Sequence, residues 1–318
     1  MTVLVLTSTT DVTADRVVAE LNRRGAPVVR MDLADFPARV QFSAGLGPAG
    51  WSGRLMTEHR DIALESVRAV YYRRPAPFSF PAAMPGPHRR WCADEARDGL
   101  GGLLTALPHA RWINPPARIA AASKPVQLAT AAACGLAVPA TQVTNVPALA
   151  RDFVAAHEGL HGGAIYKAFT GPPQSEQSTA LFTTPVGTAE ITDGVAATAH
   201  LFQQRVRKAA DVRVTEVDGA LFAVRIETGS VAATADFRSD YRSLRYSPST
   251  LPDGVADGLR RLTRRLGLVF GAHDLVETED GLLYYLETNP NGQWGWLADT
   301  APGIAPALAR ALMIGEAQ

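Results

Sequence analysis

Cysteine is nearly missing: Cys92 and Cys134 are the only two in 318 residues. That count excludes a disulfide framework or a cysteine zinc site and suits a reducing cytoplasm. An excess of either charge is missing as well. Lys plus Arg number 31 and Asp plus Glu 31, so no global field draws the chain to nucleic acid or acidic lipid. No apolar run approaches the length that spans a bilayer. The opening "MTVLVLTSTTD" lacks the basic region of a signal peptide. Glycine is absent from the first strand-to-helix turn, "TSTTDVTAD", which excludes a dinucleotide fingerprint there. What remains reads as a soluble cytosolic protein, 47% hydrophobic and long enough for two or three domains.

Residues 2–8 form an apolar run expected for a strand buried on both faces. Asp11 to Arg24 carries Val17, Val18 and Leu21 at helical spacing before Gly25, and "PVVRMD" (27–32) follows, so the opening is a β-α-β unit. Further strands are expected at 39–46, 51–56 and 67–72. A proline-rich loop spans 75–90, and a helix is expected over 91–107. "RWINPPARI" (111–119) breaks the chain, and a domain boundary is placed there. Ser123-Lys124-Pro125 then starts a helix that Gly135 ends. Extended pieces are expected over 135–145 and 163–169 and near 179–184, 212–217 and 220–227, with a hairpin near 180–197. The helix over 255–266 sets Leu259, Leu262 and Leu266 inward and Arg260, Arg261, Arg264 and Arg265 on a solvated face.

The chemistry concentrates near the C-terminus. "GAHDLVETEDGLLYYLETNPN" reads as a hairpin turning at Glu279-Asp280-Gly281. With the turn centred between 280 and 281, Asp274 stands opposite Glu287. Asn289, two residues on, leaves the same face. A carboxylate pair and an amide on an otherwise apolar hairpin need partners, and oxygen ligands of this kind suit Mg²⁺ with phosphate. The alternative is the polar outer face of an edge hairpin.

Two lysines stand at places that favour anions. Lys124 precedes a helix start, and Lys167 lies in "AIYKAFTGPPQ", on an apolar strand before a Gly-Pro-Pro loop. A single lysine in a strand is usually a snorkelling edge residue, and taken alone neither lysine marks a phosphate site. "LFQQRVRKAADVRV" is an apolar arm followed by a polar connection, either an ordinary linker or a hinge offering backbone groups to an adenine edge. Asp211 with Arg213, and Asp236 with Arg238, are Asp-x-Arg pairs, with Arg225 on the strand between. They either pair with each other or turn their guanidinium forks to a carboxylate or phosphoryl group. Arg73 and Arg74 in "YYRRP" either contact substrate or cap a sheet.

In this order the features are the signature of ATP-grasp ligases. "YYRRP", "WINPP", "SKPVQL", "LFQQRV", "DVRVTEVDG" and "LETNPNGQWGW" make the chain resemble, more narrowly, the ribosomal-peptide maturases of the microviridin type, from about Val70 to Trp296. The resemblance implies an α/β chain with an ATP-grasp fold, two α+β lobes sandwiching ATP, after a Rossmann-like pre-ATP-grasp domain. It divides the chain into 1–114, a central lobe over 115–203 and a C-terminal lobe over 204–318. It implies ATP and Mg²⁺ as cofactors, with Lys124 and Lys167 on the α- and β-phosphates. Gln203, Gln204 and Val206 fall in the adenine hinge, and Asp274, Glu287 and Asn289 on the metal. Arg213, Arg225 and Arg238 would steady the γ-phosphate or acceptor carboxylate. His273 and Thr288 depart from the pattern, standing where an aromatic and an apolar residue are usual.

The implied reaction has two steps. An Asp or Glu side chain of a precursor peptide becomes an acylphosphate, and a Ser, Thr or Lys side chain of the same peptide then closes an ester or amide ring. Positioning and charge neutralisation are what phosphoryl transfer needs, and Asp211 and Asp236 are the candidate bases. The partner is a peptide with a leader and an acidic, hydroxyl-rich core, and homodimers are common among such ligases. Two other readings share these residues: a ligase joining a free amino acid to a small acid or protein C-terminus, and a nucleotide-binding protein without turnover.

Overall fold

The computed structural model describes residues 2–159, 162–169, 183–228 and 244–313. The chain opens with β1 (Thr2–Leu6), α1 (Val12–Arg23) and β2 (Val28–Met31), the β-α-β unit expected from the sequence. Asp11 caps α1, its side chain accepting from the Thr13 and Ala14 amides. A small antiparallel sheet follows, built from β3 (Val40–Gly47), β4 (Gly50–Thr57) and β5 (Asp61–Ala63). β6 (Val67–Tyr72) returns to the first sheet beside β1. Next come α2 (Gly86–Ala96), a π-helical turn over Arg97–Gly101, α3 (Gly102–Thr105) and β7 (Arg111–Ile113). The first sheet, in the order β2-β1-β6-β7, is parallel throughout. The helix expected over 91–107 begins earlier, at Gly86, because Pro85 takes the N-cap and Pro87 the first turn, where a missing N–H costs nothing.

After α4 (Pro116–Ala121) and α5 (Lys124–Ala133), a second sheet forms from β8 (Thr141–Thr144), β9 (Ala164–Lys167), β10 (Thr184–Val186) and β11 (His200–Gln204), with α6 (Pro147–His157) packed on it. The expected hairpin over 180–197 is not formed within the described residues. β10 pairs with β9, and 3₁₀ turns occupy Thr188–Glu190 and Asp193–Ala197.

The last sheet is antiparallel, in the order β14-β13-β12-β15-β16: β12 (Ala210–Val217), β13 (Ala220–Thr228), β14 (Leu244–Ser249), β15 (Phe270–Glu277) and β16 (Leu283–Asn289). β12 lies at its centre and is buried along its whole length. Between β14 and β15 runs α7 (Asp253–Arg265), and α8 (Ile304–Met313) closes the described chain. One face of the sheet, through Val212, Val214, Leu275 and Tyr285, packs on α5 and α7. The other face, through Val217, Val224, Phe270 and Ala272, shares a core with α1, α8, Trp294 and the parallel sheet. The arginines of α7 are only partly a solvated face. Arg261 donates to Cys134 O (2.7 Å) and Arg265 to Ala133 O (3.2 Å), satisfying carbonyls at the C-terminal end of α5.

No helix among the described residues is long and apolar enough to cross a membrane.

Candidate active site at the C-terminal hairpin

From its loop, the β15–β16 hairpin pairs Glu277 with Leu283, Val276 with Tyr284 and Leu275 with Tyr285. Leu286 is then an extra residue on β16, a bulge that advances the register by one. Beyond it Asp274 faces Glu287, His273 faces Thr288 and Ala272 faces Asn289. Directly opposed residues share a sheet face, so Asp274, Glu287 and Asn289 converge on one side, while His273 and Thr288 turn to the other. Asn289 Nδ2 lies 3.1 Å from Asp274 Oδ2 and 3.4 Å from Glu287 Oε1. The side chains of Asp274 and Glu287 are 20% and 22% exposed.

These donors fit Mg²⁺. Among the described residues no cluster of three His, Cys, Asp or Glu side chains exists, and here two carboxylates and one amide meet. Mg²⁺ is commonly held by one or two carboxylates, with phosphate and water completing its octahedron. Turning the Asn289 amide about its last torsion would bring its oxygen to the carboxylates.

Cations surround the group. Arg213, opposite Asp274 in register, donates Nη1 to Asp274 Oδ1 and Nη2 to Gln293 O (3.1 Å). Lys124, the first residue of α5, donates to Ala168 O (2.9 Å) and sits 3.5 Å from Glu287 Oε2. Lys167, adjacent in sequence to Ala168, donates to Gln203 Oε1 (2.8 Å), and the buried Gln203 donates to Thr141 Oγ1 (2.9 Å). Lys124 thus joins the end of β9, where Lys167 and Gln203 meet, to the carboxylate hairpin. Gln204 exchanges backbone and side-chain bonds with Ala140, and Val206 lies in the irregular connection that follows.

One candidate is turned away from this group and another is already ion-paired. Arg225 pairs with Val212 in register and therefore leaves the opposite face from Arg213. There it binds Glu277 Oε2 (2.6 Å) and Glu227 Oε1, so β13 turns it away from the carboxylate group. Asp211 shares a face with Arg213 but is gripped by Lys208, whose Nζ donates to both carboxylate oxygens at 2.8 and 2.6 Å. Asp236 and Arg238 lie outside the described residues.

The residues after Asn289 join the hairpin to the parallel sheet. Arg73, 1% exposed at the end of β6, donates to Asn291 O and to Gln293 Oε1 (2.7 Å), which also accepts from Thr13 Oγ1 (2.8 Å). Arg74 Nε reaches Asn291 O as well (3.2 Å), and burial together with the Arg73 and Arg213 guanidiniums lowers its pKa. Gly292 makes the close approach possible, since a Cβ there would collide with the Ala272 Cβ. Asn114 accepts from the Val269 and Phe270 amides (2.8 and 3.0 Å) and donates to Phe270 O (2.8 Å) and Pro290 O (2.9 Å). It pins the start of β15 and the end of β16 together. Sequence spacing does not give the partners of Asn114 and Gln293; the only local signal is a polar residue set among prolines and aromatics.

Residues 2–120 match the family model of the MvdD pre-ATP-grasp domain. The macrocyclase MdnC of Microcystis aeruginosa, solved with its precursor peptide MdnA, is 27% identical, with 99% of this chain and 100% of that one covered at a TM-score of 0.86. The macrocyclase MdnB of the same organism is 29% identical over 98% of both chains, at 0.81. The chain has the fold of an ATP-grasp ligase and is similar along its whole length to these macrocyclases. A RiPP-associated ATP-grasp ligase of Chryseobacterium gregarium, in complex with ADP and a leader and core peptide, covers 100% of this chain and 98% of its own at 0.89; at 24% identity that likeness is one of fold. No curated protein matches at the sequence level. In this chain the crevice at the ends of β1 and β6, where an open parallel sheet ordinarily receives a ligand, receives instead its own Asn291–Gln293 segment.

Proposed function

We propose that this ligase uses ATP to activate Asp or Glu side chains of a ribosomally made precursor peptide and closes them onto Ser, Thr or Lys side chains of the same peptide. The convergence of Asp274, Glu287, Asn289, Lys124 and Arg213 at one end of the hairpin carries the reading. It is supported by the likeness to MdnC, solved with a precursor peptide. Asp274, Glu287 and Asn289 would hold Mg²⁺, which when bound neutralises charge on the transferring phosphoryl group. Lys124 and Lys167 hold the phosphates, and Gln203, Gln204 and Val206 the adenine edge. Arg213 orients the acceptor carboxylate, whose oxygen attacks the γ-phosphorus as the bond to the bridging oxygen breaks and ADP departs. The hydroxyl or amine then attacks the acyl carbon, phosphate leaves, and the proton passes to a base, for which Asp211 and Asp236 are the candidates. Residues 1–114 form the pre-ATP-grasp domain, 115–203 the central lobe and 204–318 the C-terminal lobe of a cytoplasmic homodimer.

Mass spectrometry of the peptide encoded beside the gene, after incubation with the enzyme, ATP and Mg²⁺, tests this. The expected product has lost one water per ring, and the loss is abolished when Glu287→Ala replaces the wild type. An unaltered peptide, with ADP released when free amino acids are supplied, would replace the reading with a small-molecule ligase.

A further inference from the structure

The bulge at Leu286 raises a question that the hairpin loop does not answer. Continued without it, the register set at Glu277↔Leu283 would bring Asp274 opposite Leu286 and His273 opposite Glu287. Glu287 would then enter the covered face, and the carboxylate group would be dispersed. Something other than the loop must select the advanced register.

The covered face supplies it. His273 Nδ1 lies 2.8 Å from Thr288 Oγ1, its register partner, and His273 Nε2 lies 3.2 Å from Glu216 Oε2, which also accepts from Thr263 Oγ1 (2.7 Å). Tyr285 OH is 2.7 Å from Thr288 Oγ1. Gln127 on α5 grips the Thr288 peptide from outside the sheet, its Oε1 accepting from Thr288 N (2.7 Å) and its Nε2 donating to Thr288 O (2.9 Å). β16 is an edge strand, so this amide stands where a neighbouring strand would have been. His273, Thr288, Glu216, Thr263 and Gln127 are each at most 4% exposed. Gly271 leaves room for the imidazole: a Cβ there would stand 2.9 Å from His273 Cε1. The two departures from the family pattern, His273 and Thr288, are therefore partners of one another.

We infer that Glu216, His273, Thr288 and Gln127 act as positioning residues, a register lock that holds Asp274, Glu287 and Asn289 on one face and thereby sets divalent-cation affinity. The inference rests on the metal-site reading above. Each lock residue on the hairpin adjoins a ligand in sequence: His273 precedes Asp274, and Thr288 separates Glu287 from Asn289. Gln127 stands three residues after Lys124, so one helix fixes both the Thr288 peptide and the cation beside Glu287. A slipped register would leave these buried groups without partners, and that cost discriminates between the two pairings.

The experiment compares the wild type with Thr288→Val and Thr288→Ser in the full-length enzyme. Mn²⁺ binding in the presence of ADP is read by electron paramagnetic resonance, and hydrogen exchange of residues 283–289 by mass spectrometry. Thr288→Val is expected to weaken Mn²⁺ about tenfold or more and to raise exchange in that segment while the rest of the protein stays protected. Thr288→Ser, which keeps the hydroxyl, is expected to restore both. Wild-type exchange in Thr288→Val, unchanged Mn²⁺ affinity in that variant, or a serine variant as weak as the valine one would each overturn the lock. Failure of the wild type to bind Mn²⁺ with ADP would instead overturn the metal-site reading, and with it the claim on affinity; the exchange data judge the register separately.

Discussion

The two faces of the β15–β16 hairpin are built from alternate residues of the same strands, yet they treat polar groups in opposite ways. On the covered face His273, Thr288 and Tyr285 bond to one another and to Glu216 and Gln127, with helices sealing them from water. On the open face Asp274, Glu287 and Asn289 crowd together, keep about a fifth of each carboxylate exposed, and attract Arg213 and Lys124. A satisfied buried network rigidifies, whereas a crowd of oxygens at a partly open edge favours a bound cation. Residue type does not decide which face does which, because a glutamate stands on each, Glu216 on one and Glu287 on the other. Enclosure decides it.

The sharpest way to break the contrast is to remove a charge from the open face. Glu287→Ala is expected to cut ATP turnover by roughly 10²- to 10³-fold, as loss of a preorganised electrostatic group does. Its folding stability should stay within about 0.5 kcal/mol of wild type, the ordinary range for sites away from a core. ADP release and a urea melt on the same preparation check both halves. An active variant, or one that fails to fold, would erase the distinction between the faces. Arg73→Met attacks the joint that holds the open face to the parallel sheet. It strips the Asn291 carbonyl and the Gln293 amide of a donor and leaves Asp11 without the guanidinium 3.8 Å away. A loss of about 3 kcal/mol is expected, since removing one member of a buried charged group strands the others. Urea denaturation of Arg73→Met measures it, and a variant as stable as wild type would mean the joint contributes nothing.

The β-α-β opening, the positions of β3, β4 and β6 and the gathering of Asp274, Glu287 and Asn289 were all legible in periodicity and spacing. The pairing of Asp274 with Glu287 was legible for an incomplete reason. A regular hairpin centred between 280 and 281 gives that pair, but the real loop sets a register one residue short, and the bulge at Leu286 restores it. A bulge held by tertiary hydrogen bonds leaves no mark on local sequence. The grouping of Arg225 with Arg213 rests on the family resemblance, not on register. Which face each occupies depends on the β12–β13 register, and that register sends Arg225 to Glu277. The side chains of Gln293 and Asn114 make their bonds to residues more than 150 positions away, which spacing cannot show. The start of α2 at Gly86 was hidden by prolines that read as a loop and serve as a cap.

The smallest effect probes the covered face through its tyrosine. Burial raises the Tyr285 phenol well above its ordinary value, more than its hydrogen bond to Thr288 lowers it, and burial raises Tyr71 as well. An unfolded tyrosine ionises near pH 10. Below that pH both states hold the proton and stability is unaffected by it. Above it the unfolded chain ionises while native Tyr285 does not, so stability falls as pH rises from 10 towards the folded pKa. The slope is about 1.4 kcal/mol per pH unit for each such tyrosine. Tyr285→Phe loses the hydroxyl bonded to Thr288 and Gln127 and should be about 1 kcal/mol less stable at neutral pH. Its urea midpoint should also fall less steeply between pH 10 and 11, by one tyrosine's share. If the variant kept the full wild-type slope, Tyr285 would be ionising in the native state, and the covered face would be open to water.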